Sequence, residues 1–292
     1  MDLHSNKNKR APGLVLRYPT PPFRLLISLA AALTAGCATS APGPSSTREV
    51  TVLVYNIHAG KDAAGRESLA RVADVVRSTG ADLVLLQEVD RNTQRSGPTD
   101  QPARLAELTG YSVAFGRTIP FQGGDYGIAI LSRWRITRDT LVPLTVTASP
   151  GRTTEGREQR GVLLAEVATP GGPLAVLNTH LDNLGEDVWR IQEIATLLRV
   201  ARSAAGGGMP VLLGGDFNST PQSAIHGQLR DAGFRDAWPA CGQGPPETFP
   251  AAAPVRRIDY LYLSGTERCS SARVLDADAS DHRPLLVHVT LR

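Results

Sequence analysis

Eight residues of this 292-residue chain are of types that together can hydrolyse a phosphate ester: Asn56, Glu88, His180, Asp216, Asn218, Asp259, Asp281 and His282. That reaction needs a hard divalent cation on the phosphoryl oxygens, and hard cations take oxygen ligands of the kind Glu88 supplies. It needs a base for the attacking water, a role open to an imidazole oriented by a carboxylate, as His282 with Asp259. It also needs neutral or cationic donors for the negative charge that grows in the transition state, for which Asn218 and His180 qualify. The leaving alkoxide must be protonated or held by metal. No Ser or Cys stands in a nucleophile elbow and no Gly-rich phosphate loop is present. Direct attack by water is therefore favoured over a covalent route.

These residues share one position relative to the apolar runs of the chain. Asn56 closes VTVLVYN, Glu88 closes LVLLQE, and His180 follows LAVLNT. Asp216 and Asn218 follow VLLGG, Asp259 opens DYLYL, and Asp281-His282 precedes RPLLVHV. Strand ends gathered on one rim are where α/β enzymes place catalytic groups, because the sheet holds them rigidly. Residues 50–57, 83–86, 127–131, 211–213, 258–263, 272–275 and 285–291 read as strands. Residues 162–167 and 174–178 read as a hairpin pair across Thr169-Pro170-Gly171-Gly172. Helical spacing marks 67–78, 103–109 and 188–203; Val188, Ile191, Ile194, Ala195 and Leu198 share one face of the last, which Gly206-Gly207-Gly208 stops. Strands interleaved with helices predict mixed sheets with helices packed outside, and no second domain boundary follows residue 50.

Seven segments then carry a resemblance: YNIH at 55–58, LLQEVD at 85–90, GIAILSR at 127–133, NTHLD at 178–182, GGDFNSTP at 214–221, RIDYLYL at 257–263 and SDHRPLLV at 280–287. In this order they resemble the motifs of the endonuclease/exonuclease/phosphatase superfamily, from about residue 50 to the end of the chain. The resemblance implies a four-layer α/β sandwich, two mixed β-sheets face to face with helices on the outside. It implies that Glu88 is the principal Mg²⁺ ligand (Mn²⁺ being a possible substitute), with Asn56 and Asp281 nearby. Asp216 would orient water or handle the leaving group, and Asn218 would hold phosphate. His180 would donate to a phosphoryl oxygen. His282, oriented by Asp259, would be base or transition-state stabiliser. Arg160, opening the run RGVLLAEV, could reach phosphate, and His58 could line the substrate site. Asp182 could hold the loop after His180.

Charge and leader bear on where the chain works. The 31 basic and 28 acidic residues are unevenly spread: residues 1–37 hold Lys7, Lys9, Arg10, Arg17 and Arg24 against Asp2 alone, so the rest carries 26 and 27. The body is near neutral, which weakens a general case for nucleic-acid binding. A basic stretch, an apolar run too short to span a bilayer comfortably and small residues before Cys37 have the form of a cleaved secretory signal. Thr34-Ala35-Gly36-Cys37 resembles a bacterial lipobox, with Thr34 where Leu is usual. Cys37 is the expected lipidation site, residues 1–37 the signal, 38–49 a flexible tether and 50–292 the catalytic domain. The protein is expected outside the cytoplasm, anchored to a membrane as a monomer. In that compartment Cys241 and Cys269 could pair as a disulfide, although sequence does not give their separation.

The substrate is less defined, because family membership gives the bond and not the molecule. A tether at the membrane would place the catalytic mouth near lipid head groups. The stretch from Glu88 through Arg95-Ser96-Gly97 to Gln101 resembles a bacterial branch related to proteins that remodel glycosylphosphatidylinositol anchors. A lipid head group, inositol-type or other small phosphoester is therefore expected, with a secreted Mg²⁺-dependent nuclease as the alternative. An inactive lipoprotein binding module would be expected to lose the glutamate or the final histidine, and both Glu88 and His282 are present.

Overall fold

The computed structural model describes residues 19, 48–148, 153–184 and 186–291. The expected signal (residue 19 apart), Cys37 and the tether up to residue 47 lie outside the described residues. Arg48 and Glu49, expected at the end of the tether, are instead the first residues of a strand.

Among the described residues, twelve strands form two six-stranded sheets. The first sheet contains β1 (Arg48–Asn56), β2 (Leu83–Arg91), β3 (Ser112–Phe121), β4 (Gly124–Ser132), β11 (Arg268–Val274) and β12 (Leu285–Leu291), in the order β11-β12-β1-β2-β4-β3. The second contains β5 (Ile136–Leu144), β6 (Arg160–Thr169), β7 (Gly172–His180), β8 (Val211–Asp216), β9 (Arg235–Asp236) and β10 (Asp259–Leu263), in the order β5-β6-β7-β8-β10-β9. Each sheet has one parallel pair, β1 with β2 and β7 with β8, and its other pairs are antiparallel. A parallel pair needs a crossover. Helix α1 (Leu69–Thr79) lies in the first crossover and α3 (Val188–Gly206) in the second.

Period-two patterning of the strands builds three apolar layers. Val50, Val52 and Val54 on β1 point to the space between the sheets, where they meet Leu163, Ala165, Val176 and Leu261. Leu53 and Tyr55, one residue out of phase, point the other way and pack with Val72, Ala73 and Val76 of α1 and Leu105 of α2 (Gln101–Thr109). On the far side Leu177, Leu213 and Tyr260 pack with Ile194, Leu197 and Ala201 of α3 and Ile225 of α4 (Ala224–Asp231). The result is the four-layer α/β sandwich, helices outside two mixed sheets. One polar bridge crosses the middle: the Gln87 side chain donates to Asn178 Oδ1 at 2.7 Å, and the Asn178 amide donates to the carbonyls of Leu86 and Ala129.

Helix α3 departs from the expected face. Ile191 is 39% exposed, whereas Arg190 and Glu193 are buried with Trp189, Ile194 and Leu197. Glu193 accepts from the Asp182 backbone N–H and from Arg157, and Arg190 donates to the carbonyls of Asp182 and Leu184. Those polar contacts hold the loop that follows His180, and they turn the helix away from the phase its apolar residues alone suggest.

Cys241 and Cys269 form a disulfide with Cα atoms 5.8 Å apart, closing 28 residues and tying helix α5 (Trp238–Cys241) to β11. Loop-closure entropy predicts that Cys241→Ser with Cys269→Ser lowers stability by about 3 kcal/mol. Denaturant titrations of both forms without reductant measure this, and coincident curves would refute it.

A buried histidine, His226, meets Ser219 Oγ at 2.9 Å and the Tyr262 hydroxyl at 2.6 Å, with its ring 4.4 Å from that of Tyr260. Burial lowers its pKa to about 4. The folded form therefore holds this ring neutral, while the unfolded chain takes up a proton near pH 6.5. Stability attached to His226 is present above pH 6.5, falls as pH drops through the window to 4, and is level below that. The loss is about 3 kcal/mol. It should be absent in His226→Gln, so the two proteins' melting curves at pH 7 and pH 4 should differ in their pH dependence; parallel losses would contradict it.

Candidate active site

The two parallel pairs end on the same rim. β1 and β2 deliver Asn56 and Glu88 there; β7 and β8 deliver His180 and Asp216, which are paired in register. β10 runs antiparallel to β8 and begins at Asp259, directly opposite Asp216. β12 runs antiparallel to β1, so the segment before it brings Asp281 and His282 to this rim. Sheet direction explains why Asn56, His180 and Asp216 close their strands and Glu88 lies late in its own, while Asp259 opens its strand and Asp281 and His282 precede theirs.

Local backbone then aims the side chains. Glu88 lies in a bulge, between the paired residues Leu86 and Val89, with φ +55°. Asn218 has φ +49° and His58 φ +47°. Left-handed conformations of non-glycine residues cost of order 1 kcal/mol or more and gather at functional sites. Gly215, at φ +143°, is required for another reason: a Cβ there would lie 1.9 Å from the Thr179 carbonyl oxygen. Only glycine lets β8 close on β7 beside His180.

Seven of the eight residues are joined by contacts of 2.8 to 3.7 Å. The Asn56 amide donates to Glu88 Oε1 at 3.2 Å and to Asp216 Oδ2 at 3.1 Å, while its Oδ1 accepts from the His58 backbone N–H. The Asn218 N–H donates to Asp216 Oδ1 at 2.8 Å, and the Asn218 side chain lies 3.0 Å from His180 Nε2. His282 Nδ1 is 3.0 Å from Asp259 Oδ2, and its Nε2 is 3.7 Å from Asp216 Oδ2. Phe249 packs on the His282 ring at 4.8 Å. Asp281 lies at the edge, 3.9 Å from His58 Nδ1, so His58 does border the site. Arg160 is buried, with NH1 2.7 Å from Glu158 and 3.2 Å from His180 Nδ1, so it stands behind His180.

Electrostatics separate the roles. Burial, reinforced by the neighbouring Asp259 carboxylate, raises Asp216 to about 7. Burial also works against the His282 imidazolium, but the charge and hydrogen bond of Asp259, then Asp216 and Asp281, outweigh it and lift His282 to about 10. Burial, with the positive charges of Arg160 and His282, pushes His180 well below the usual histidine range. At neutral pH His180 is a neutral ring and His282 a cation.

The donor set fits a divalent metal. Four carboxylates, Glu88, Asp216, Asp259 and Asp281, crowd a site whose positive charge comes from the His282 ring and, behind His180, from Arg160. Asp259 Oδ1 is buried without a hydrogen-bond partner. Ligand atoms of Asp216, Asp259 and His282 come within 4.8 Å of one another, the one such cluster among the described residues. Excess negative charge on oxygen donors is what a hard cation offsets.

Several supporting residues escaped the sequence reading. Ser280 donates to the Asn56 carbonyl at 2.7 Å and so ties the Asp281-His282 segment to β1. The Arg95 fork grips buried Asp90 at 2.8 Å, with its guanidinium over the rings of Phe121 and Tyr126. Arg157 pairs with Asp182, whose suggested part in holding the His180 loop this contact supplies. A serine or arginine one strand away leaves no periodic signal. The run REQR beside a strand start was the one local hint.

This fold and rim define a phosphoester-cleaving α/β sandwich class. The Endonuclease/Exonuclease/phosphatase family pattern matches residues 53–282, and the chain belongs to that family. Its members are hydrolases of phosphoesters, typically dependent on a divalent metal. The chain is 30% identical over 264 residues to the uncharacterized protein YbhP of Escherichia coli (strain K12), spanning 85% of this chain and all of that one. An endonuclease/exonuclease/phosphatase structure from Beutenbergia cavernae superposes with a TM-score of 0.69 at 26% identity, covering 84% of this chain and 72% of that one. A mannosyl-6-phosphatase from Bacteroides thetaiotaomicron shares the fold with a TM-score of 0.69 at 18% identity, over 83% and 100% of the two chains.

Proposed function

We propose that this protein is a Mg²⁺-dependent phosphoesterase that hydrolyses a small phosphodiester or phosphomonoester by direct attack of water. One observation carries the reading: neutral His180, the Asn218 amide, Asp216 and the His282–Asp259 pair are linked by contacts of 2.8, 3.0, 3.0 and 3.7 Å at the end of a carboxylate-rich rim. Glu88, Asn56 and Asp281 would hold the cation, which supplies charge neutralisation at the phosphoryl oxygens. His180 and Asn218 donate to a phosphoryl oxygen. The His282 imidazolium, held by Asp259, stabilises the growing negative charge. Asp216, in contact with both halves of the site, orients water or serves the leaving group.

The near-neutral body supports a small substrate over nucleic acid, and the sugar-phosphate substrate in the name of the Bacteroides relative is consistent with one. Export and lipidation at Cys37 belong to the same proposal, although no helix among the described residues is long and apolar enough to cross a membrane.

Hydrolysis of bis-p-nitrophenyl phosphate should appear with Mg²⁺ and vanish with chelator; activity indifferent to both would overturn the reading. A parallel assay on plasmid DNA, sphingomyelin, phosphatidylinositol and inositol phosphates should favour the small phosphoesters. Robust DNA nicking that declines steeply with salt would establish the nuclease instead. Labelling with a palmitate analogue in cells should be lost in Cys37→Ser.

A further inference from the structure

His180 has two neighbours that leave its ring one arrangement. Nδ1 faces Arg160 NH1 at 3.2 Å. A guanidinium carries hydrogen on every nitrogen and has no acceptor. Nδ1 can therefore meet it only as a bare acceptor, which places the ring proton on Nε2. Asp216 Oδ2, 3.5 Å from Nε2, favours a proton at the same atom.

The partner of Nε2 is equally constrained. The Asn218 Nδ2 group donates to the Leu181 carbonyl at 3.0 Å, and turning the amide over would set Oδ1 against that carbonyl. Nδ2 must then stay where it is, 3.0 Å from His180 Nε2. Two N–H donors thus meet, and Asp216 Oδ2, 3.5 Å from Nε2, is too far for a full hydrogen bond and already accepts from the Asn56 amide. Unsatisfied donors aimed at one point form an anion hole, and a phosphoryl oxygen can accept from both.

Arg160 itself is closed off. Its side chain is 4% exposed, Glu158 holds NH1 at 2.7 Å, and Nε is buried without a partner. Its contact with the site runs through the imidazole, 3.2 Å from NH1. We infer that Arg160 is a positioning residue that locks His180 in the Nε2–H tautomer, and so makes His180 and Asn218 a paired-donor site for one phosphoryl oxygen. The identity of that oxygen rests on the proposed phosphoesterase reading; the tautomer does not. A wrong tautomer at a catalytic histidine costs rate while leaving the fold intact.

Ring-¹⁵N NMR of the full chain tests this, with His180→Gln identifying the His180 signals. The wild type should show a protonated Nε2 and a bare Nδ1; a protonated Nδ1 overturns the inference. In Arg160→Met the ring should move to the Nδ1–H form or a mixture. Its kcat for bis-p-nitrophenyl phosphate should fall about 10²-fold with KM within about threefold. A raised KM at unchanged kcat would make Arg160 a direct substrate ligand and also overturn it. Arg160→Lys, another donor with no acceptor, should restore the tautomer and most of kcat, and if Arg160→Met fails to fold, the wild-type and lysine spectra decide. Absence of metal-dependent turnover in the wild type would sink the phosphoesterase reading alone, leaving the spectrum to judge the tautomer.

Discussion

His282→Ala is expected to lower kcat/KM for bis-p-nitrophenyl phosphate by about 10³- to 10⁴-fold, with the folded state retained. The His282 imidazolium stands within the site, 3.7 Å from Asp216 and 3.0 Å from Asp259, so its loss removes positive charge that meets the developing oxyanion. Asp259→Asn should cost about 10²-fold or more, because an amide can still contact Nδ1 but no longer supplies the charge that favours imidazolium. The double variant should be little worse than His282→Ala, since the two residues act as a unit. Steady-state kinetics beside melting curves measure this. Additive losses would show that Asp259 has a role of its own, and an active His282→Ala would remove the mechanism.

Glu88→Gln should nearly abolish Mg²⁺-dependent turnover at low metal, with partial recovery as Mg²⁺ rises. The side chain keeps its size and its bulge, so the change is one of ligand charge. Losing a carboxylate ligand is expected to weaken metal affinity by about 10²-fold. The same substitution should make the metal-free protein more stable, because Asn56 now bridges two carboxylates, Glu88 and Asp216, that repel one another. Calorimetric Mg²⁺ titration and metal-free melting give the two readouts. Unchanged Mg²⁺ affinity would show that the metal lies elsewhere, with the Asp216, Asp259 and His282 cluster the next place to look.

Strand existence was largely legible because buried strands carry their own signal. VTVLVYN and LVLLQE are apolar runs, and both appear as central strands with every residue from Val52 to Asn56 buried. β5 was missed because it is an edge strand whose middle is exposed, so residues such as Arg138, Asp139 and Thr140 show no apolar alternation. β3 was missed for a similar reason: it is half-buried, and its pairing with β4 comes from backbone hydrogen bonds that no residue type encodes. The phase of α3 was misread because Arg190 and Glu193 are buried by ion pairs and loop carbonyls, contacts that a hydrophobic pattern cannot contain.

The sequence by itself singled out which residues could carry the chemistry and set most of them at strand ends, since both follow from local runs of residue types. It also located the charge in the leader, because charge is counted and not folded. Only the tertiary structure decided what each group does to the next. Asp216 is raised because the fold takes it out of water and sets Asp259 opposite it, against the lowering pull of His282, Asn218 and Asn56. Arg160 turned out to face a histidine twenty residues away, because β6 pairs antiparallel with β7 and so sets the start of one strand beside the end of the other. Protonation and tautomer are properties of neighbours, and neighbours at this rim are set by sheet order and direction.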